Sequence, residues 1–239
     1  GLYSALSAGL PVTEDMGKTM DFMSQNAKLA AAGFTDVDTT VGATAKVLNA
    51  YKMDVSDTDK VHKVLMQTQN KGITTVGELS SVLAQVTPTA AAMNVAFEQV
   101  GASLATMTAQ GTPTAQATTQ LNSLFAELGK SGTQANVALE EATKGTEYAG
   151  KSFQQLMQEG VPLNDVLNVM DTYAQKNNLS MLDMFSSIEA GKAALAMSGK
   201  NAQQYTDNLA AMGTETDVVG DAYTKMADTL EFKSNEIKE

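Results

Sequence analysis

The chain of 239 residues carries a single histidine, His62, and no cysteine. A zinc site built here would be nearly all carboxylate, a ligand set zinc disfavours. The expectation for His62 is a surface or half-buried side chain. Asp54, Asp57 and Asp59 fall at intervals that suggest a calcium loop, but neither the central glycine nor the closing glutamate follows at the required position. A turn leading into an acidic first helical turn explains them better. Ser, Thr and Tyr are plentiful, yet a nucleophile needs a base and an orienting group, and no motif supplies that constellation. The run GTEYAGK from Gly145 to Lys151 lacks full phosphate-loop spacing, although Ser152 follows it. Glu140-Glu141 and the acidic stretch from Glu231 to Glu239 read as solvated helix faces. Met16, Met20 and Met23 could form an adaptable binding surface, but in an Ala-rich bundle core filling is the expected role. No catalytic, cofactor-binding or metal-binding residue is therefore assigned, and the chain is expected not to be an enzyme and to need no cofactor.

The elements that would position such residues are short helices. Between Asn70 and Leu128, apolar residues recur in steps of three and four: Val76, Leu79, Leu83 and Val86; Phe97, Val100, Leu104 and Met107; Ala117, Leu121, Leu124 and Leu128. That is the spacing of one buried helix face. Thr87-Pro88 and Gly111-Thr112-Pro113 separate these faces, with glycine ending one helix, threonine free to cap the next and proline in its first turn. Before them, one helix is predicted from Pro11 to about Ala32, stopped by Gly33. Another starts at Thr35 and carries Val37, Val41, Thr44, Leu48 and Tyr51, and a third groups Val61, Val64, Leu65 and Thr68. After Leu128 the pattern weakens around a polar helix with few apolar residues, Val137 and Leu139 among them. It resumes with Phe153, Leu156 and Met157, then Leu163, Val166, Met170 and Tyr173. The last predicted helices carry Leu182, Phe185 and Ile188; Tyr205, Leu209 and Met212; and Val219, Tyr223, Met226 and Leu230. No segment alternates with period two, so no sheet is expected.

Two repeats stand out. Gly9-Leu10-Pro11 and Gly160-Val161-Pro162 are each followed, at a similar interval, by a Met-Asp pair. A smaller cassette recurs at Gly33-Phe34-Thr35-Asp36-Val37, Gly72-Ile73-Thr74-Thr75-Val76 and Asn178-Leu179-Ser180-Met181-Leu182, with an uncapped copy at Asn94-Val95-Ala96-Phe97. Each reads as a residue tolerant of left-handed backbone, an apolar residue packing back on the preceding helix, a hydroxyl cap and a resuming apolar face. The expected fold is all-α, with multiple short helices as helical hairpins packed in a repeat-like bundle that could be elongated. Residues 1–128 read as an N-terminal helical core, 129–152 as a polar helix and flexible joint, and 153–239 as a C-terminal helical part.

Composition narrows the function classes. Sixteen Lys+Arg against 27 Asp+Glu give a formal charge of −11, which repels phosphate and argues against nucleic-acid binding. The absence of cysteine fits assembly in a reducing compartment. No apolar run approaches the ~18 to 20 residues that a membrane span needs. With Gly1-Leu2-Tyr3 at its start, the chain reads as a fragment cut from a longer protein.

The run TTVGELSSVLAQVTPTAAAMNVAFEQVGASLATMTAQGTPTAQATTQL, flanked by Thr39–Tyr51 and by FSSIEAGKAALAMSGKNAQQYTDNLAAM, closely resembles the core region of phage tail tape measure proteins. Two positions depart from that pattern: Ala96 stands where a hydroxyl cap is expected, and Lys52 where a glycine would end a helix. The resemblance implies a structural segment of a long helical protein that occupies the tail tube, sets tail length during assembly and takes part in genome ejection. It implies as partners the tail tube protein, tail assembly chaperones, tail-tip proteins and self-association, with no specific nucleic-acid binding and membrane contact only at infection. It places the chain in the virion tail, and in the host bacterial cytoplasm during assembly. The alternatives are a membrane-active or pore-forming helical module, or a non-catalytic part of a cell-wall-penetrating tail protein. The first lacks the Lys/Arg belts and aromatic anchors of interfacial helices. A cell-wall hydrolase would require a carboxylate pair in a cleft, and none is evident.

Overall fold

The computed structural model describes residues 16–238, with side-chain surroundings as far as Thr229. Among the described residues the chain is all-α and holds no strand. The helices are α1 (Met16–Ala32), α2 (Val37–Tyr51), α3 (Thr58–Lys71), α4 (Val76–Val82), α5 (Thr87–Ala92), α6 (Phe97–Ala109) and α7 (Thr114–Gly129). They continue as α8 (Gln134–Thr143), α9 (Phe153–Gln158), α10 (Leu163–Lys176), α11 (Ile188–Met197), α12 (Ala202–Met212) and α13 (Val218–Lys238). The predicted start at Pro11 and the Gly9-Leu10-Pro11 repeat lie outside the described residues.

The core forms around α6. Every residue from Gln99 to Thr108 is buried, which an Ala-, Ser- and Thr-rich helix permits because small side chains let neighbours approach. At Gly101 a Cβ would stand 2.4 Å from Val64 Cγ1 and 3.3 Å from Met212 Sδ, so glycine here admits α3 and α12 together. The hydroxyls of Ser103, Thr106 and Thr108 donate to carbonyls four residues back within α6, which leaves their oxygens free to accept from other segments, as Thr108 does from Ile73 N at 3.2 Å. The faces predicted for α4, α6 and α7 are all buried, with Leu121, Leu124 and Leu128 fully excluded from solvent. Each such leucine contributes about 1.5–3 kcal/mol through burial. Helix α7 packs on α11, α6 on α3 and α12, α10 on α8, and α13 on α1 and α3.

The turn chemistry follows the sequence in part. Gly111 and Gly160 adopt left-handed backbone at φ +93° and +78°, and Lys52, Asn94 and Asn178 do so at +53°, +59° and +55°. Ala96 begins α6 without a side-chain cap. Several details differ. Asp36, not Thr35, caps α2 through Thr39 N at 2.8 Å. Pro88 lies in a first turn, whereas Pro113 and Pro162 sit one residue earlier, in extended backbone before α7 and α10. In the cassettes only Val95 packs back; Phe34, Ile73 and Leu179 are exposed by 84%, 71% and 43%. The left-handed residue of the first cassette is Phe34 at φ +53°. Gly33 is instead needed for close approach, since a Cβ there would meet Val76 Cβ at 2.7 Å.

Two larger corrections concern faces. Met16 and Met20 are exposed by 73% and 66% and Met23 only half-buried, because α1 turns Phe22, Asn26 and Leu29 inward instead. Met16 and Met20 are not core fill, whereas Met23 packs against the edge of the core. The helix expected through Leu182, Phe185 and Ile188 is broken: Met181–Met184 is a 3-10 turn capped by Ser180 with Asp183, Phe185 is extended, and α11 starts at Ile188. Helix α11 buries Ala190, Gly191, Ala193, Ala194 and Met197, while Ile188 stays 67% exposed.

Candidate functional site

His62 is a buried side chain among α1, α2 and α3. Helix α3 places it at 2% exposure, with Nε2 2.9 Å from Thr44 Oγ1 on α2. The Thr44 hydroxyl also lies 2.8 Å from the Thr40 carbonyl and 3.0 Å from Asn26 Oδ1. Both oxygens are acceptors, since the Asn26 amide nitrogen is committed to the Phe22 carbonyl at 2.9 Å. One hydroxyl proton serves one of them, so the imidazole Nε2 must be the donor to Thr44. Burial alone pushes the His62 pKa down from 6.5 to about 3. The ring is therefore neutral, its Nε2 proton is tied into a structural network joining α1, α2 and α3, and the expected surface or half-buried position is corrected to the interior.

His62 also borders a cleft of about 340 Å³ between α1, α3 and the start of α13. Lys28, Lys63, Asp59, Glu215 and Asp217 line it, a mixed-charge rim that favours neither anion nor cation. Asp217 is engaged locally, accepting from Gly220 N at 2.9 Å. Among the described residues no group of His, Asp and Glu could hold a metal ion.

The other sequence candidates take local structural roles. Asp54 and Asp57 form a reciprocal capping box before α3, and Asp57 pairs with Lys60 at 2.6 Å. Their hydrogen bonds hold both carboxyls below the usual range, to Ser56 for Asp54 and to Lys60 for Asp57. Asp59 lies in the first turn of α3. Residues Gly145–Lys151 form a loop with Gly145 and Gly150 both at φ +77°. Ser152 caps α9 in a box with Gln155, and Lys151 pairs with Glu159 at 2.6 Å. Glu140 is solvated, and Glu141 pairs with Lys144 at 2.5 Å.

Sequence reading missed the polar groups that matter most to the tertiary fold. Gln99, 4% exposed, accepts from Leu163 N at 2.6 Å and from the Tyr205 hydroxyl at 2.8 Å, and donates to the Val161 carbonyl at 3.1 Å. Burial drives the Tyr205 phenol well above its ordinary range. The Glu127 carboxylate on α7 accepts from Ser186 N, Ser187 N and Ser187 Oγ at 2.7, 2.9 and 2.6 Å, holding in place the serine that caps α11 through Ala190 N. The available signal was a polar stripe on α6 at Gln99, Ser103, Thr106 and Gln110, spaced four, three and four.

These side chains, among the described residues, serve fixed helix packing, caps and turns. Among the described residues no helix is long and apolar enough to cross a membrane. A family model described as phage-related minor tail protein matches residues 1–178. A curated relative, the "Probable tape measure protein" of Clostridium phage phiCD119, is 72% identical over 238 residues, covering 100% of this chain and 25% of its own length. The chain thus spans about a quarter of the relative it matches. No solved structure matches. With the family model covering most of its length and the 72% identity running through the whole of this chain, the chain belongs to the family of phage-related minor tail proteins.

Proposed function

We propose that the chain is a folded, non-catalytic segment of a phage tail tape measure protein, contributing to tail assembly, tail-length determination and genome ejection. The observation that carries this reading is the 72% identity across the whole chain to a relative bearing that name. The fold supports it, since the buried groups serve caps, seams and helix contacts. Its partners are the tail tube protein, tail assembly chaperones, tail-tip proteins and further copies of itself; it binds no specific nucleic acid and meets a membrane only at infection. It resides in the virion tail after assembly in the host cytoplasm.

As a folded body the segment adds less length per residue than a continuous helix, which rises ~1.5 Å per residue. In-frame deletion of residues 70–128 from the parent phage, with tails measured by electron microscopy, tests this. Failed assembly, or shortening well below the full helical rise, is expected; shortening by the full rise for each residue removed would make this region ruler instead. Incubating the purified chain with peptidoglycan should release no muropeptides.

A further inference from the structure

Helix α11 buries one side and leaves the other to solvent: Ala190, Ala193, Ala194 and Met197 are buried, whereas Ile188, Glu189, Lys192 and Leu195 are exposed. Ile188, Lys192 and Leu195 follow in steps of four and three, so they share one face of the helix. Leu182, itself exposed, widens that face. A Cβ at Gly191 would meet Leu182 Cδ2 at 2.7 Å, so this leucine lies against the glycine, between the levels of Ile188 and Leu195. Val137 is also exposed, one turn along α8 from Gln134, which donates to the Asp183 carbonyl beside Leu182. Large apolar side chains gathered on one surface mark an interaction site, as singly scattered ones do not.

The charges on the face select its occupant. Glu189 and Lys192 are exposed, and neither takes part in an ion pair among the described residues. Consider α11 laid antiparallel against α11 of a second copy, with a two-fold axis midway between Ile188 and Leu195. Ile188 then lies opposite Leu195 of the second copy, and Leu195 opposite its Ile188. Glu189 comes within roughly 3 Å of the level of the second copy's Lys192, since a helix rises ~1.5 Å per residue. Two Glu–Lys pairs form, and the two Lys192 side chains near the axis are each flanked by a glutamate. The parallel arrangement sets Glu189 against Glu189 and Lys192 against Lys192, so charge favours the antiparallel, isologous one. Shape agrees with charge. Lys192 and Leu195 border an open cleft of about 420 Å³ together with Pro113 and Gln116, and Ile188 of the second copy arrives at its mouth.

We propose that the exposed face of α11, widened by Leu182, is a self-complementary surface on which two copies of the chain pair about a two-fold axis. Ile188 and Leu195 supply the apolar contact, and Glu189 and Lys192 fix its register. A face on one helix of 10 residues is small. It buries far less than the ~1,200–2,000 Å² of a stable complex, so the pair is transient and forms where copies are concentrated. The pairing gives a surface to the contact between further copies in the proposed function, and it rests on that reading for its use in the phage. Its test is made on the isolated chain, so failure here leaves the tail assignment to the deletion experiment.

Sedimentation equilibrium of the intact 239-residue chain over a range of concentrations tests the pairing, with circular dichroism confirming that each variant is folded. The wild type should shift from monomer toward dimer as concentration rises, and Ile188→Glu should weaken the association roughly tenfold or more. Glu189→Lys and Lys192→Glu should each weaken it as well. An equimolar mixture of those two variants should pair more strongly than either alone, because every charged contact in the mixed pair joins opposite signs. Glu189→Lys also removes negative charge from a chain of formal charge −11, so relief of general repulsion alone would strengthen association. A wild type that stays monomeric throughout would overturn the proposal. So would Glu189→Lys pairing as well as the wild type, or a mixture no stronger than its parts.

Discussion

Helices α7 and α11 lie against each other but bury themselves by opposite means. Helix α7 turns leucines inward: Leu121, Leu124 and Leu128 are all at 0% exposure. Helix α11 turns alanines inward, with Ala190, Ala193 and Ala194 at 0%, and leaves Ile188 and Leu195 exposed by 67% and 41%. Large residues mark a buried face only where the neighbour leaves room for them. Where a neighbour already supplies the bulk, small residues let the backbones close and the large ones turn out.

Leu121→Ala is the strongest way to sharpen that contrast. It should cost about 2–5 kcal/mol by leaving a cavity in a closed core, whereas Ile188→Ala should stay within roughly 0.5 kcal/mol. Urea unfolding of the two variants measures both; similar losses would break the comparison.

The glycines extend it. At Gly72 a Cβ would stand 2.3 Å from Thr108 Oγ1 and 3.0 Å from the Ala105 Cα, and backbone cannot yield cheaply. Gly72→Ala should therefore lose about 1–3 kcal/mol. At Gly191 the obstructing atom is Leu182 Cδ2 at 2.7 Å, the end of a side chain 42% exposed, so Gly191→Ala should cost less. Midpoints in denaturant rank the pair, and a reversed order would show α11 to be the tighter site.

His62 gives the body a pH dependence. Its folded pKa lies below the unfolded value, so between about 6.5 and about 3 the unfolded chain takes up a proton that the folded chain refuses. Stability is complete above that window and falls with acidification by up to roughly 1.4 kcal/mol per pH unit. Asp165 opposes this weakly, because burial raises its pKa. Melting curves between pH 7 and 4.5 should be steeper for the wild type than for His62→Gln; parallel curves would refute the assignment.

Gly111→Ala places a Cβ at φ +93° and should cost about 1 kcal/mol. Pro113→Ala combined with it should add a smaller loss. Charge changes at Glu140 and Glu141, both exposed, should do almost nothing. Equal melting temperatures for the turn and charge variants would count against the turn reading. The smallest effect expected is a gain: Phe34→Gly, at φ +53° and 84% exposure, should raise the melting temperature slightly by relieving left-handed strain.

The sequence by itself determined the helical class, the helix ends at Gly111, Gly160, Asn94 and Asn178, and the apolar faces of α4, α6 and α7. These are local properties: a left-handed turn needs a tolerant residue, and a leucine spacing of three and four has one buried side. Only the tertiary structure decided the rest. It buried His62 by bringing Thr44 and Asn26 against it, left Met16 and Met20 outside because Phe22 and Leu29 on the same helix met the core first, and turned the alanine side of α11 inward. It also gave Gln99, Tyr205 and Glu127 their partners, some 60 to 106 residues away in sequence. Such pairings satisfy polar groups across distant segments, and a stripe of glutamine and threonine on one helix looks the same whether water or another helix will face it.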